Sequence, residues 1–135
     1  MSFFKFFPVV FILFIGGATA ANDIGSVSEV GAGRVGAHVV RYVKTFNDSC
    51  LEVQVVSPDN NWKILSASNF CSFEGKSFDS DYADAGFDNI SVKNDGVHLT
   101  LSTTPLRPTG EERRLCNIPV EGTTIKELKC SEASK

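Results

Sequence analysis

The four cysteines constrain the fold of this 135-residue chain more than any other feature of its sequence. Cys50, Cys71, Cys116 and Cys130 lie too far apart for the C-x2-C pairs of a zinc site, so we expect no metal there. In an oxidising compartment four such cysteines form two disulfides, for which three connectivities are possible. The spacing favours Cys50–Cys71 and Cys116–Cys130, and closing each loop would stabilise the fold by about 3 kcal/mol.

The N-terminal residues predict an exported protein. The segment opens with MSFFK, continues with an apolar block over residues 6–15, and ends in Ala18-Thr19-Ala20. This is the pattern of a secretory signal peptide. Because the apolar block is about ten residues long, it is shorter than the roughly 20 residues that a membrane-spanning helix needs. We therefore expect residues 1–20 to be a signal peptide cleaved after Ala20, and the mature chain to be soluble, not inserted in the membrane, and periplasmic or secreted.

The remainder of the chain divides into two predicted regions. We interpret residues 21–36 as a flexible Gly-rich lead-in and residues 37–135 as a single β-rich domain. The whole chain carries 13 basic and 16 acidic side chains, for a net charge of -3, and has no cluster of Lys and Arg. Such a balance gives no electrostatic footprint for nucleic acid, so no nucleic-acid partner is expected.

Alternation of apolar and polar residues predicts antiparallel strands. Residues 51–57, LEVQVVS, alternate most cleanly, and the turn-forming residues SPDNN separate them from the strand-like residues 62–65. This predicts a hairpin that brings Cys50 and Cys71 towards the same open end. A second hairpin is predicted around Asn94-Asp95-Gly96, because Asp-Gly between alternating segments is a strong turn signal.

A third hairpin is predicted to join residues 115–120 to residues 123–130 through Glu121-Gly122. A regular two-residue loop at that point places Cys116 and Cys130 on opposite faces of the hairpin, because a one-residue change of register reverses the side-chain direction. The Cys116–Cys130 disulfide therefore predicts a longer loop or a bulge in this hairpin. A regular hairpin would contradict the connectivity.

Residues 34–46 carry conflicting signals. Val35, Val39 and Tyr42 have the spacing of a helix face, whereas the segment from His38 to Phe46 is rich in β-branched and aromatic residues. We favour a strand. The predicted fold class is all-β, a small antiparallel sandwich or meander stabilised by disulfides, and a short helix in this segment, which would make the fold α+β, is the alternative.

The sequence GAGRVG at residues 31–36 matches the G-x-G-x-x-G pattern of dinucleotide-binding loops. That function requires a buried parallel strand before the glycines and a helix after them. Residues 24–30, IGSVSEV, are too polar for such a strand, and a small exported chain cannot supply the rest of a parallel βαβ unit. We therefore expect no bound cofactor and interpret the glycines as part of the flexible lead-in.

Two weaker motifs suggest other functions. The acidic segment at residues 74–88 has Asp79 and Asp81 at the first two positions of an EF-hand loop, but lacks the glycine and terminal glutamate of that motif. A solvated acidic loop is favoured, and a calcium- or ligand-binding module is an alternative. His98 could act with a carboxylate such as Asp88 or Glu112 in a small secreted hydrolase, which requires that His98 lie in a concave pocket.

Residues 103–114, TTPLRPTGEERR, are the favoured binding segment. They follow a predicted strand, contain two prolines and a glycine, and are densely charged. Loops of this kind, held at both ends, make pre-organised binding surfaces. Arg107, Glu111 and Arg113 are the predicted contact residues. Together with export, two disulfides and the lack of a catalytic motif, they favour a non-enzymatic inhibitor or immunity-type protein that blocks another protein, such as a cell-wall hydrolase or a delivered toxin.

Overall fold

The computed structural model describes residues 27–107 and 110–134. Within these residues most of the chain is antiparallel β-structure, and the single helical segment there is a 3-10 turn at Pro58–Asn60. The predicted all-β fold class is confirmed. The strands are β1 (Val27–Val35), β2 (His38–Thr45), β3 (Leu51–Ser57), β4 (Lys63–Phe70), β5 (Ser72–Phe73), β6 (Lys76–Ser77), β7 (Tyr82–Lys93), β8 (Gly96–Pro105), β9 (Glu112–Glu121), β10 (Thr124–Ile125) and β11 (Lys129–Cys130).

The strands form two main sheets, each built from consecutive hairpins. The first sheet has the order β1-β2-β3-β4. The second sheet contains β7, β8 and β9 in that order, and both β10 and β11 pair with the remaining side of β9. β5 and β6 form a small hairpin in the segment that connects the two sheets. In the part of the chain that the structure describes, no helix is long and apolar enough to cross a membrane.

The two sheets pack face to face over a shared hydrophobic core. Because side chains alternate along a strand, each sheet presents one apolar face to the other. The larger core residues are Val40, Tyr42, Leu51, Val53 and Val55 from the first sheet, and Phe87, Val97, Leu99, Leu101 and Ile118 from the second. Phe78, from the connecting segment, closes one end of the core by packing edge-on against Phe87 with ring centroids 5.3 Å apart.

The sandwich has two distinct ends. The end that we call the disulfide end holds the Cys50–Cys71 bond, the β5–β6 hairpin and the connection between β8 and β9. The opposite end, the turn end, holds the tight turns after β1, β7 and β9 and the 3-10 turn after β3. There the Ser66 hydroxyl donates a hydrogen bond to the carbonyl oxygen of Thr123 over 2.5 Å, which links the two sheets.

Both predicted disulfides are present, and the predicted irregularity in the third hairpin is confirmed. Thr124 pairs with Glu121, but Cys130 pairs with Cys116, so the register changes by one residue between β10 and β11. The tight turn lies at Gly122-Thr123, one residue later than predicted. Directly opposed residues of antiparallel strands have side chains on the same face, which allows the Cys116–Cys130 bond to form.

The prediction of a flexible lead-in over residues 21–36 is wrong for residues 27–35, which form β1 and pair with β2 along its length. Residues 38–45 are a strand, as favoured, so the helical alternative does not hold. The predicted signal peptide over residues 1–20 lies outside the described residues. So does the remainder of the lead-in, up to residue 26.

Candidate functional site

The connection between β8 and β9 leaves the disulfide end from two paired strands. Thr103, two residues before the end of β8, pairs with Glu112, at the start of β9, and Thr103 is buried. β8 and β9 both lie inside the second sheet, so each end of the connection is held by neighbouring strands. Leu106 and Arg107 therefore directly follow one supported strand, and Glu111 directly precedes the other.

Leu106 and Arg107 project from the disulfide end into solvent. Leu106 is 66% exposed and follows directly on Pro105, the last residue of β8. Both residues line a groove of about 380 Å³. The other residues that line it are Phe73, Glu74, Lys76, Asp81, Tyr82, Thr103, Pro105, Glu112 and Arg114. Arg107 therefore lies in a groove of mixed charge with an aromatic wall.

Glu111 and Arg113 form a salt bridge on the other side of the same sheet. The Arg113 Nε atom lies 2.8 Å from Glu111 Oε1, and both side chains are exposed. This hydrogen bond, together with the negative charges of Glu111 and Asp88, raises the pKa of Arg113 above its ordinary value. The structure thus brings two of the three predicted contact residues together, whereas Arg107 lies apart from them in the 380 Å³ groove.

Alternation along β9 explains this division. Arg113 points to the outward face of the sheet, whereas Arg114, the next residue, points to the inner face. The Arg114 guanidinium lies over the ring of Phe73, 5.2 Å from its centroid. Glu112 Oε2 is 3.8 Å from the Arg114 guanidinium. The Arg114–Phe73 contact attaches the β5–β6 hairpin to β9. Sequence reasoning singled out Arg113 and missed Arg114, although the alternation rule alone separates these two arginines.

The β5–β6 hairpin is the second element of the candidate site. Its turn is formed by Glu74 and Gly75, and both have positive φ angles, 51° and 78°, as a tight two-residue hairpin requires. Phe73 and Glu74 also line a second, larger groove of about 630 Å³, which Leu128 lines as well. The hairpin therefore stands between two grooves, both at the disulfide end.

His98 does not contact either carboxylate that sequence analysis suggested. Its Nε2 atom lies 2.7 Å from Asp95 Oδ1, at the turn between β7 and β8. This hydrogen bond lowers the pKa of the exposed Asp95 carboxyl. Asp88 instead accepts a hydrogen bond from the Ser102 hydroxyl at 3.2 Å. His98 sits on the outward face of β8 at the turn end and lines neither of the two grooves at the disulfide end.

The acidic segment has a local structural role. Asp81 Oδ2 accepts a hydrogen bond from the backbone N–H of Ser77 at 2.7 Å, and the N–H of Asp81 donates to the carbonyl of Ser77 at 2.9 Å. These two bonds close the turn between β6 and β7. Asp79, the other residue of the partial calcium motif, is exposed. Within residues 27–107 and 110–134 no three His, Cys, Asp or Glu side chains cluster as metal ligands would.

The glycines of GAGRVG meet the requirements of β-sheet packing. A Cβ atom on Gly31 would lie 2.5 Å from the hydroxyl oxygen of Tyr42, and one on Gly33 would lie 2.8 Å from Cβ of Val92. Gly36 has a φ angle of +61° in the turn between β1 and β2. Each glycine therefore has a steric reason to be present, and the strand that follows the motif is β2 rather than a helix.

Comparison of the chain with protein-family models, with curated proteins and with solved structures gave no match. The function is therefore inferred from the chemistry and geometry of the chain itself. The β8–β9 connection, at the disulfide end, combines exposed and charged residues with paired strands on both sides of its base.

Proposed function

We propose that this chain is an exported, periplasmic or secreted, inhibitor or immunity-type protein that binds and blocks another protein. The contact surface is the β8–β9 connection, with Leu106 and Arg107 as its centre and the Glu111–Arg113 pair at its edge. The partner class is an enzyme such as a cell-wall hydrolase, or a delivered toxin. Two disulfides are typical of proteins that work in an oxidising compartment, which supports the proposed location.

The observation that carries this proposal is the exposure of Leu106 beside Arg107 on a supported connection. Protein interfaces obtain most of their affinity from a few anchors, and arginine and large apolar side chains are typical members of such clusters. An anchor that is already held in position loses little conformational freedom on binding. Leu106 and Arg107 are of these residue types, and they follow directly on β8, which is paired on both sides at Thr103.

The Glu111–Arg113 salt bridge supports a role in specificity. Exposed charge pairs contribute little to the stability of the protein that carries them, typically below about 1 kcal/mol. The same charges at the edge of an interface steer association and reject partners with the wrong charge pattern. We assign both residues to the edge of the contact surface because Glu111 directly precedes β9 at the base of the connection.

Affinity capture tests the proposal. The full chain, expressed through a secretory route and tagged at its C-terminus, is incubated with envelope and secreted proteins of its source, and bound proteins are identified by mass spectrometry. We expect one stoichiometric partner. The variant carrying both Leu106→Ala and Arg107→Ala should weaken binding by about 30-fold or more, the effect of losing a hot spot of at least about 2 kcal/mol.

Matched control substitutions distinguish the connection from the rest of the surface. Trp62→Ala removes another exposed apolar side chain, and Lys93→Ala another exposed positive charge, both at the turn end. These variants should bind within about threefold of the wild type, a change of roughly 0.7 kcal/mol. A partner that binds the Leu106/Arg107 double variant as tightly as the wild type would contradict the assignment of the surface. Failure to capture any stoichiometric partner would contradict the proposed function itself.

A further inference from the structure

The outward faces of the two main sheets differ in composition. The second sheet presents mostly polar residues to solvent, among them Asp88, His98, Thr100, Ser102 and Arg113. The outward face of the first sheet is mostly apolar. Its residues, identified from the strand pairing, are Val30, Ala32, Arg34, Val39, Arg41, Val43, Glu52, Gln54, Val56, Ile64, Ala67 and Asn69, and we call this set the valine face.

The valine face departs from the pattern of a sheet with one solvated side. Such a sheet alternates between apolar residues inside and polar residues outside, whereas strands that are apolar on both faces are normally covered on both. β2 has Val40 and Tyr42 in the core but also Val39 and Val43 on its outward side. Val30, on β1, pairs with Val43 and is 57% exposed. Val56, near the centre of this side, is 1% exposed, whereas Ile64, its partner on β4, is 47% exposed. The open apolar surface therefore lies toward the edge strands β1 and β4.

A polar network crosses the centre of the valine face. The Arg41 Nε atom donates to Gln54 Oε1 at 2.8 Å, and Gln54 Nε2 donates to Glu52 Oε1 at 2.8 Å. Gln54 is only 8% exposed although it points outward, because its neighbours enclose it. The network combines one positive and one negative charge and satisfies the amide between them. It can therefore be covered without leaving a central polar group unpaired.

We propose that the valine face is the interface of a two-fold symmetric homodimer. In an isologous interface each patch contacts the same patch of the other copy, so the patch must be complementary to itself. A two-fold axis lying in the plane of the face, midway between Arg41 and Glu52, places each Arg41 opposite the partner's Glu52. In the strand register Val30 and Val43 lie close to this axis, so each of them then faces its own copy in the partner.

The size of the valine face fits a small specific dimer. Four strands at roughly 4.8 Å spacing and about eight residues at roughly 3.3 Å each cover about 500 Å² per copy. Two copies would bury on the order of 1,000 Å² in total, near the lower bound for a specific interface. Because the β8–β9 connection belongs to the other sheet, this dimer leaves the proposed binding surface free. The dimer therefore does not depend on the proposed function.

Sedimentation velocity of the full chain as it is purified, over about 1 to 500 μM with disulfides intact, tests the proposal. The mass of the product, measured by mass spectrometry, gives the monomer mass for the fit. We expect a concentration-dependent monomer–dimer equilibrium. Val30→Asp should raise the dimer Kd about 100-fold or more, because two carboxylates enter an apolar contact at once. Leu115→Asp, on the outward face of the second sheet and 73% exposed, is the matched control and should change the Kd by less than about threefold.

A charge reversal tests the proposed register. Arg41→Glu alone places four negative charges together across the interface and should abolish dimerisation up to about 500 μM. The double variant with Arg41→Glu and Glu52→Arg should restore the dimer, because the Gln54 amide can turn over to satisfy the reversed pair. Far-UV circular dichroism and thermal melting confirm that each variant is folded. A wild-type monomer at every concentration, equal effects of Val30→Asp and Leu115→Asp, or a folded double variant that stays monomeric would each overturn the proposal.

Discussion

Gly31→Ala should destabilise the protein because the inner side of β1 has no space for a methyl group. The added Cβ would lie 2.5 Å from Cε1 and the hydroxyl oxygen of Tyr42 and 2.6 Å from Cζ. The Tyr42 ring is buried between the sheets, and its hydroxyl donates to the carbonyl oxygen of Ile90 at 3.3 Å, so the ring cannot move aside freely. The three short contacts therefore have to be relieved by displacing the ring or the strand.

The magnitude follows from three contributions. Forcing an extra methyl group into a packed core costs about 1 to 3 kcal/mol, and displacing the Tyr42 hydroxyl loses a hydrogen bond of about 1 kcal/mol. Replacing glycine in a strand returns about 0.5 to 1 kcal/mol through the lower entropy of the unfolded chain. We expect Gly31→Ala to lower the free energy of unfolding by about 2 kcal/mol, which corresponds to a fall in Tm of roughly 10 °C.

Urea denaturation with intact disulfides, followed by circular dichroism, measures this change. Gly86→Ala is the matched control, since a Cβ on Gly86 meets nothing within 4 Å, and it should be neutral or slightly stabilising. In a Tyr42→Leu background the cost of Gly31→Ala should shrink by about 1 kcal/mol or more, because the clashing ring is gone. The reasoning is refuted if Gly31→Ala costs less than about 0.5 kcal/mol, or if its cost is the same with Tyr42 and with leucine.

Two further predictions concern the disulfides and the buried tyrosine. Replacing either cysteine pair by alanine should lower the free energy of unfolding by about 3 kcal/mol, since the pairs are separated by 21 and 14 residues; a loss below about 1 kcal/mol in urea denaturation would contradict this. Burial, together with the nearby negative charge of Glu29, raises the pKa of Tyr42. The protonated Tyr42 hydroxyl therefore contributes its full stabilisation below about pH 10, and this stabilisation is lost as the pH rises through the higher pKa of the folded state. Tyr42→Phe should reduce the loss of stability at alkaline pH. Identical profiles of unfolding free energy against pH for the wild type and Tyr42→Phe would refute this role of Tyr42.

Local sequence signals predicted much of the fold because hairpins depend on neighbouring residues. The turn residues after β3 and between β7 and β8 lie where alternation on both sides had placed them. The Cys116–Cys130 bond and the register change between β10 and β11 were linked by the two-residue period of a strand. These features needed no knowledge of the rest of the chain.

β1 escaped prediction because its sequence carries little alternation. Its inner positions include Gly31 and Gly33, whose missing side chains are explained by Tyr42 and Val92. Val92 belongs to the other sheet and is distant in sequence, so no local pattern could indicate the contact. The glycines therefore resembled a flexible segment or a nucleotide-binding loop, although they are required by the close approach of β1 to the core.

The candidate site was predicted only in part for a similar reason. Glu111 and Arg113 are two residues apart, and alternation alone places them on one face, where they form a salt bridge. Arg107 shares its groove with Phe73, from the β5–β6 hairpin, and with Tyr82, at the start of β7. That arrangement depends on how the β5–β6 hairpin folds over the disulfide end, and the sequence of the β8–β9 connection contains no information about it.

The conflicting signals in residues 34–46 arise because β2 carries apolar residues on both of its faces, one of which is part of the valine face. Val35, Val39, Tyr42 and Val43 resembled a helix face because apolar residues occur there in adjacent as well as alternate positions. In the structure Val35 and Tyr42 point into the core, whereas Val39 and Val43 point outward. A strand with one solvated side would carry polar residues at the latter two positions and would give a clean two-residue period. The loss of that period is what a strand covered on both sides would show, and the homodimer provides the second cover.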